Sequence, residues 1–338
     1  MENLASKYRP RTFDEIVSQE AVSMILKKQI ETGKVANCYL FTGPSGTGKT
    51  TSARAFAHAL NGNFNGVIEV DAASNNSVDN VRNIVASANE RAIGAEYKIY
   101  ILDECHVFSA QAWQAWLKCL EEPPHYTIFI FCTTNPEKIP VTILNRVQRY
   151  NLQRIPWTQI KSRLEYICSQ EGFTNYTEAC DYISKISKGQ MRDAIAMVDK
   201  CASYSTDLDI HTVLKCLGNY AYETFFELLN SVIDDNEPRV LQIIDEYYLE
   251  GKDMRNFIDN YFEFVVEVGR YAVFKTMSLV NIPATYEDML KNSINFDNAT
   301  DFYKYYMNSV LDIKNAIKND SNPKSTVEVL FLKMARGQ

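Results

Sequence analysis

Eight consecutive residues restrict this chain more than anything else in it. Gly43-Pro44-Ser45-Gly46-Thr47-Gly48-Lys49-Thr50 matches GxxxxGK[ST] at every fixed position. An apolar run, Cys38–Thr42, precedes the loop and a helical pattern, Thr50–Leu60, follows it. That context makes the loop a phosphate cradle rather than a glycine-rich turn. Glycines let the backbone curl until several N–H groups face one point. The helix start adds positive potential at that point. Lys49 is expected to reach the β- and γ-phosphates of ATP, Thr50 to ligate Mg²⁺, and Thr51 to complete the nucleotide contacts.

A loop of this kind needs a parallel sheet behind it, and the first half of the chain supplies one. β-rich runs at Cys38–Thr42, Val67–Asp71, Lys98–Leu102, Tyr126–Cys132 and Val147–Leu152 alternate with helical patterns at Thr50–Leu60, Val78–Arg91 and Ala110–Leu120. Short connections between such elements predict an α/β fold with a five-stranded parallel sheet and right-handed crossovers. Pro123-Pro124 ends the third helix. Trp113 and Trp116 on that helix read as a buried face.

After about Ile155 the strand signal stops. Trp157–Gln170, Thr177–Ser187 and Met191–Ser203 read as amphipathic helices, with Gly172 and Gly189 as breaks. Tyr220–Ile233, Pro238–Leu249, Met254–Met277 and Ala299–Lys318 continue the helical pattern. The expected division is 1–155 for the sheet domain, 156–205 for a three-helix lid and 206–338 for a helical collar.

The strand Ile99-Tyr100-Ile101-Leu102 ends in Asp103-Glu104. Asp103 is placed to support the Mg²⁺ shell, and Glu104 to polarise an attacking water. His106 has no partner in metal-ligand spacing and reads as a structural neighbour. None of the eight cysteines forms a C-x-x-C pair, so buried thiols in a reducing cytosol are expected. The chain carries 35 Lys+Arg against 42 Asp+Glu; its first 150 residues hold 15 of each, leaving 20 and 27 for the rest. The acidic excess therefore lies in the second half, and a nucleic-acid surface on the first half is permitted. No apolar run reaches membrane-spanning length and the N-terminus lacks a secretory core, so a soluble cytoplasmic protein is expected.

Further segments together resemble the clamp-loader AAA+ ATPases, and most of all the gamma/tau subunit of bacterial DNA polymerase III. They include Lys7-Tyr8-Arg9-Pro10, the stretch Thr12–Glu20, Glu69–Asn75, Leu117–Pro124 and Thr133–Leu144. The likeness covers about residues 4–205. It implies that Tyr8, Arg9, Pro10 and Val17 line the adenine end of the site, and that Thr134 is a polar sensor. In Asn145-Arg146-Val147, which stands where the family has Ser-Arg-Cys, Arg146 would be an arginine finger reaching a neighbour's ATP. In Gly189-Gln190-Met191-Arg192-Asp193, Arg192 would be a second sensor on the lid. Ser74, Asn75 and Asn76 would face DNA; from the residues alone they could as well cap the helix starting near Val78.

One departure stands out. Leu60-Asn61-Gly62-Asn63-Phe64-Asn65-Gly66 runs straight into the next strand where the bacterial family carries a four-cysteine zinc module. No zinc is expected there, nor the C-terminal extension of bacterial tau; a compact phage-encoded relative would fit. The resemblance implies a pentameric ring with other clamp-loader subunits, acting on a sliding clamp and primer–template DNA. Two other readings remain open. Asp103-Glu104-Cys105-His106 fits a D-E-x-H box, which suggests a helicase or branch-migration motor. An ATP-gated assembly scaffold is the third.

Overall fold

A computed structural model of the protein describes residues 3–218 and 222–335. The chain forms two compact units, Met1–Glu171 with Ile183–Asp199, and Gly172–Tyr182 with Lys200–Gln338.

The first unit is built on a parallel sheet of β1 (Cys38–Thr42), β2 (Val67–Asp71), β3 (Lys98–Asp103), β4 (Thr127–Thr133) and β5 (Gln148–Asn151), in the order β2-β3-β4-β1-β5. Leu40 pairs with Phe131, Ile101 with Ile130, and Thr42 with Asn151. The central strands β1, β3 and β4 are apolar on both faces, which is why each reads as a continuous hydrophobic run. Their side chains alternate between two cores. Tyr39, Phe41, Ile99, Ile101 and Ile130 pack with Phe13, Leu26 and Phe56 on one face. On the other, Leu40, Tyr100, Leu102, Phe129 and Phe131 pack with Val81, Trp113 and Trp116.

Helices cover both faces: α1 (Leu4–Lys7), α2 (Glu20–Thr32), α3 (Lys49–Asn61), α4 (Val78–Ala88), α5 (Ala110–Glu121) and α6 (Val141–Leu144). As expected, Trp113 and Trp116 are buried, Trp116 with its ring 5.2 Å from Phe129 and 5.3 Å from Phe131. Helix α4 stops at Ala88, three residues short of the predicted Arg91, because Asn89 folds its amide back onto the Val85 carbonyl. The turn after α3 is closed by one side chain. Asn61 donates to the carbonyls of Asn65 and Tyr97 at 2.9 Å each and accepts from the Tyr97 amide at 3.0 Å.

Helices α7 (Trp157–Glu171), α8 (Tyr176–Ile186) and α9 (Met191–Ala202) follow. The rest is helical: α10 (Ile210–Leu217), α11 (Tyr222–Ile233), α12 (Glu237–Leu249), α13 (Met254–Phe274), α14 (Glu287–Ser293), α15 (Ala299–Ile317) and α16 (Pro323–Ala335). Asp209 caps α10 and Asp253 caps α13, each accepting two backbone amides. The predicted α13 pattern ran to Met277, but Lys275 turns left-handed at φ 53° and ends the helix. Tyr220, where one predicted helix began, lies outside the described residues. None of the eight cysteines is in a disulfide, and all but Cys216 are buried; burial pushes the Cys38 thiol up to about 12. No helix among the described residues is long and apolar enough to cross a membrane.

Candidate functional site

The order β3-β4-β1 sets the C-terminal ends of three strands side by side. In open parallel sheets that edge is where ligands bind. The end of β1 runs into the phosphate loop, that of β3 carries Asp103 and Glu104, and that of β4 between them leads to Thr134.

Backbone geometry in the loop requires glycine at two points. Gly43 has φ 144°, and a Cβ there would lie 2.2 Å from the Leu152 carbonyl oxygen. Gly46 has φ 69°, and a Cβ would lie 2.8 Å from the Gln190 Cβ. The Gly46 carbonyl accepts from the Met191 amide at 3.1 Å, tying the loop to the start of α9. Helix α3 begins at Lys49 with no acidic residue of its own in its first turn; the carboxylate that meets that turn, Asp103, comes from β3.

Lys49 is 6% exposed, and its ammonium donates to the Gly43 and Pro44 carbonyls at 2.9 Å each. Burial holds its pKa below the usual lysine value, while the Glu104 and Asp103 carboxylates pull the other way. The Thr47 hydroxyl donates to the Pro44 carbonyl at 2.9 Å and stiffens the loop.

Thr50 Oγ1 donates to Asp103 Oδ2 at 2.7 Å, and Asp103 Oδ1 accepts from the Glu104 amide at 2.9 Å. A hydroxyl beside one carboxylate suits Mg²⁺, which keeps most of its waters and takes further oxygens from phosphates. No group of three or more His, Cys, Asp or Glu side chains that could hold a metal occurs among the described residues. A hydroxyl and one carboxylate fit a sparsely held hard cation.

Glu104 is left-handed, with φ 48°. A bulky L-residue pays strain for that conformation, and such strain clusters at functional sites. Its Oε2 lies 3.3 Å from Thr134 Oγ1 and 3.3 Å from His106 Nδ1. His106 Nδ1 is also 3.1 Å from Thr133 Oγ1. His106, read from the sequence as a structural neighbour, thus touches both the Glu104 carboxylate and the Thr133 hydroxyl.

A cleft opens above the loop. Tyr8, Arg9, Pro10 and Val17 line it together with Ser45, Gly46, Thr47, Gly48, Lys49, Thr50, Thr51, Asp103, Glu104 and Arg192. Gly43 and Pro44 lie beneath, as the carbonyls that Lys49 holds. Helix α7 fastens the N-terminal strap: Lys7 pairs with Glu171 at 2.7 Å, Tyr8 hydrogen-bonds the same carboxylate, and Arg163 donates to the Tyr8 carbonyl at 3.1 Å. Burial, with Glu171 beside it, pushes the Tyr8 phenol up to about 12.

Several members of the site escaped sequence reasoning. Ile16, Ile155, Arg163, Met191 and Ile195 also line the cleft. Gln19, left-handed at φ 67°, accepts from the Gln153 amide at 3.1 Å and donates to the Gln153 carbonyl at 2.7 Å. Its partner is too distant in sequence for any local signal, though Gln19 stands within the family-like Thr12–Glu20 stretch.

Two predicted groups lie elsewhere. Arg146 is not among the cleft residues; it pairs with Glu121 at 2.5 Å. Ser74 and Asn75 do not cap α4. Ser77 does, accepting from the Asn80 amide at 3.2 Å. The Ser74 hydroxyl and Asn75 amide turn back onto Asp71 instead, at 3.2 and 3.0 Å, because Asp71 ends β2 and offers both carboxylate and carbonyl to the turn. Asn76 follows them, exposed.

Comparison with known proteins agrees with this architecture. Residues 64–156 match the family model described as DNA polymerase III, delta subunit. The DNA polymerase III subunit tau of Bacillus subtilis (strain 168) is 35% identical over 75% of this chain, but only 49% of that relative is covered. The tau subunit of Escherichia coli (strain K12) is 32% identical over 73% of this chain and 42% of its own length. This chain thus spans about half or less of these relatives. DNA polymerase III subunit gamma of Buchnera aphidicola subsp. Baizongia pistaciae is 28% identical over 98% of this chain and 96% of that one. Among solved structures, the Thermotoga maritima RuvB Holliday junction branch migration motor aligns over 67% of this chain and 79% of its own, with a TM-score of 0.53 and 21% identity, a likeness of fold alone. With the phosphate loop and the strand order, these likenesses make the chain similar in sequence to the gamma and tau subunits of DNA polymerase III, on an AAA+ fold.

Proposed function

We propose that this chain is the ATP-hydrolysing motor subunit of a sliding-clamp loader, and that it divides into a sheet domain (1–155), a lid (156–205) and a collar (206–338). The observation that carries the reading is the convergence of Lys49, the Thr50–Asp103 pair and the Glu104–Thr134 pair on three adjacent strand ends.

ATP would lie with its base against Tyr8, Arg9, Pro10 and Val17 and its phosphates on Ser45 to Thr51. The loop amides and the start of α3 hold phosphate oxygens, and Lys49 exchanges its carbonyl partners for them. Thr50 and Asp103 would hold Mg²⁺, which would supply positive charge to offset that of the phosphates. Glu104 orients and polarises the attacking water, and Thr134 holds that water or the γ-phosphate. Arg192 reaches the nucleotide from the lid side. Arg146 completes the site of the next subunit, where a guanidinium stabilises charge developing in transfer.

The ring would be a pentamer with other loader subunits, gripping an open clamp and primer–template DNA, with Ser74, Asn75 and Asn76 towards the DNA. Steady-state ATPase with partner subunits, measured with and without clamp and primed DNA, tests this. Synergistic stimulation by clamp and primed DNA together is expected. Stimulation by any DNA, indifferent to clamp and primer, would point instead to a translocating motor. No turnover under any condition would leave a nucleotide-gated scaffold.

A further inference from the structure

Asn145 and Val147 flank Arg146 where the resembling family has serine and cysteine, so the local sequence does not show how this arginine is held. The structure gives two partners. Arg146 Nη2 donates to Glu121 Oε1 at 2.5 Å, and Nη1 donates to the Thr142 carbonyl at 2.5 Å. Thr142 belongs to the short helix α6 just before the arginine; Glu121 comes from the far end of α5, 25 residues earlier.

Fold stability does not explain this pair. The side chains are 32% and 52% exposed, and ion pairs that open to water contribute little to folding. Glu121 is the last residue of α5, where a negative charge opposes the helix dipole. The helix itself gains nothing from a carboxylate there. A guanidinium, by contrast, has five N–H donors in one plane, and these two partners leave others free for an anion. A long arginine on a surface loses much conformational freedom when it must meet a phosphate in a neighbouring site. Fixing it beforehand removes that cost from the reacting complex.

We propose that Glu121 is the positioning residue for Arg146: with the Thr142 carbonyl it fixes the guanidinium plane so that the remaining N–H groups face the nucleotide of the next subunit. The inference rests on the reading of Arg146 as an arginine finger acting in trans.

The test uses the assembled complex with clamp and primed DNA. Turnover, KM for ATP, nucleotide affinity and thermal midpoint are compared for Glu121→Ala, Glu121→Gln and Glu122→Ala. Glu122→Ala removes the same charge one residue away from the pair. Glu121→Ala should lower kcat by about 10- to 100-fold with KM and midpoint unchanged. Glu121→Gln, which can still accept one hydrogen bond, should recover part of the loss, and Glu122→Ala should behave as wild type. Single-turnover rates then complete a cycle with Arg146→Ala, on which Glu121→Ala should cause no further loss. Equal losses with and without Arg146, a matching loss in Glu122→Ala, or a rise in turnover in Glu121→Ala would each overturn the positioning role. If Arg146→Ala alone leaves turnover intact, the finger reading fails first, and the positioning role with it.

Discussion

Two regions of this molecule handle polar groups in opposite ways. In the helical unit, tyrosine hydroxyls close on one another or on a near neighbour. Tyr261 meets Tyr306 at 2.7 Å, Tyr182 meets Tyr222 at 3.2 Å, Tyr303 donates to the Ser293 carbonyl at 2.7 Å, and Tyr286 donates to Glu223 at 2.5 Å. Each pair leaves a ring packed in the core with its polar tip satisfied. At the edge of the sheet, Thr50 meets Asp103, Glu104 meets Thr134 and Lys49 meets loop carbonyls, yet all lie on one cleft or beside it, and Glu104 holds a left-handed backbone. Hydrogen bonds made inward finish a core. Hydrogen bonds arranged around a common opening can be exchanged for a ligand.

Substitutions can break that contrast, and the largest effect belongs to the sheet edge. Lys49→Ala should abolish nucleotide binding and turnover, read by titration with a fluorescent ATP analogue, while the thermal midpoint holds. Arg146→Ala should keep nucleotide binding and lower DNA- and clamp-stimulated turnover by roughly 10³–10⁵-fold, as arginine fingers do in other phosphate-loop enzymes. Glu104→Gln should also retain ATP, with turnover reduced by about 10²–10⁴-fold. A nucleotide affinity lost along with turnover in that variant would mean that Glu104 shapes the cleft rather than the water.

The helical unit should respond the other way round. Tyr261→Phe leaves the Tyr306 hydroxyl buried and unpaired, which costs about 1–3 kcal/mol. Its thermal midpoint should fall by several degrees with ATP affinity unchanged. Smallest of all is Asp209→Ala, which removes the cap of α10 and costs about 1 kcal/mol. The Thr212 hydroxyl and the His211 and Thr212 amides hold the Asp209 carboxyl below its ordinary pKa. Its stabilisation is therefore complete above the unfolded value near 3.9 and is lost as pH falls through the lower folded value. The Asp209→Ala difference should accordingly vanish in acid; a difference that persists there would assign it to packing.

The same contrast explains what could be read from the chain beforehand. β1 and β2 fall on their predicted bounds, and β3 to β5 within a residue or so; for the central β1, β3 and β4 the reason is that a parallel strand buried by covering helices is spelled as an uninterrupted apolar run. The phosphate loop was legible because its residues are contiguous. Short helices were not: α10 and α14 are each about two turns long, and α16 starts on Pro323 within an Asn-Asp-Ser-Asn-Pro stretch that reads as punctuation. Nor were the supports of the site. Gln19 and Gln153, Tyr8 and Glu171, and Arg146 and Glu121 meet only once the sheet is assembled. A sequence names groups able to do chemistry more readily than it names what aims them.

Strand β5 deserves to be seen as a distance. It is short, and it is bonded to β1 from Tyr39–Gln148 to Thr42–Asn151. Just before it stands Arg146; just after it, the Leu152 carbonyl lies where a side chain on Gly43 would have to go, and the Leu152 amide donates to Thr42 at 2.8 Å. No more than about 20 Å of chain at extended-strand rise separates these points. One end bears on the phosphate loop, and the other carries Arg146, which under the proposed function is offered to the next subunit. Under the proposed assembly, such a strand would serve as a stiff spacer, so that a shift of the phosphate loop would be felt at the arginine without passing through any flexible segment.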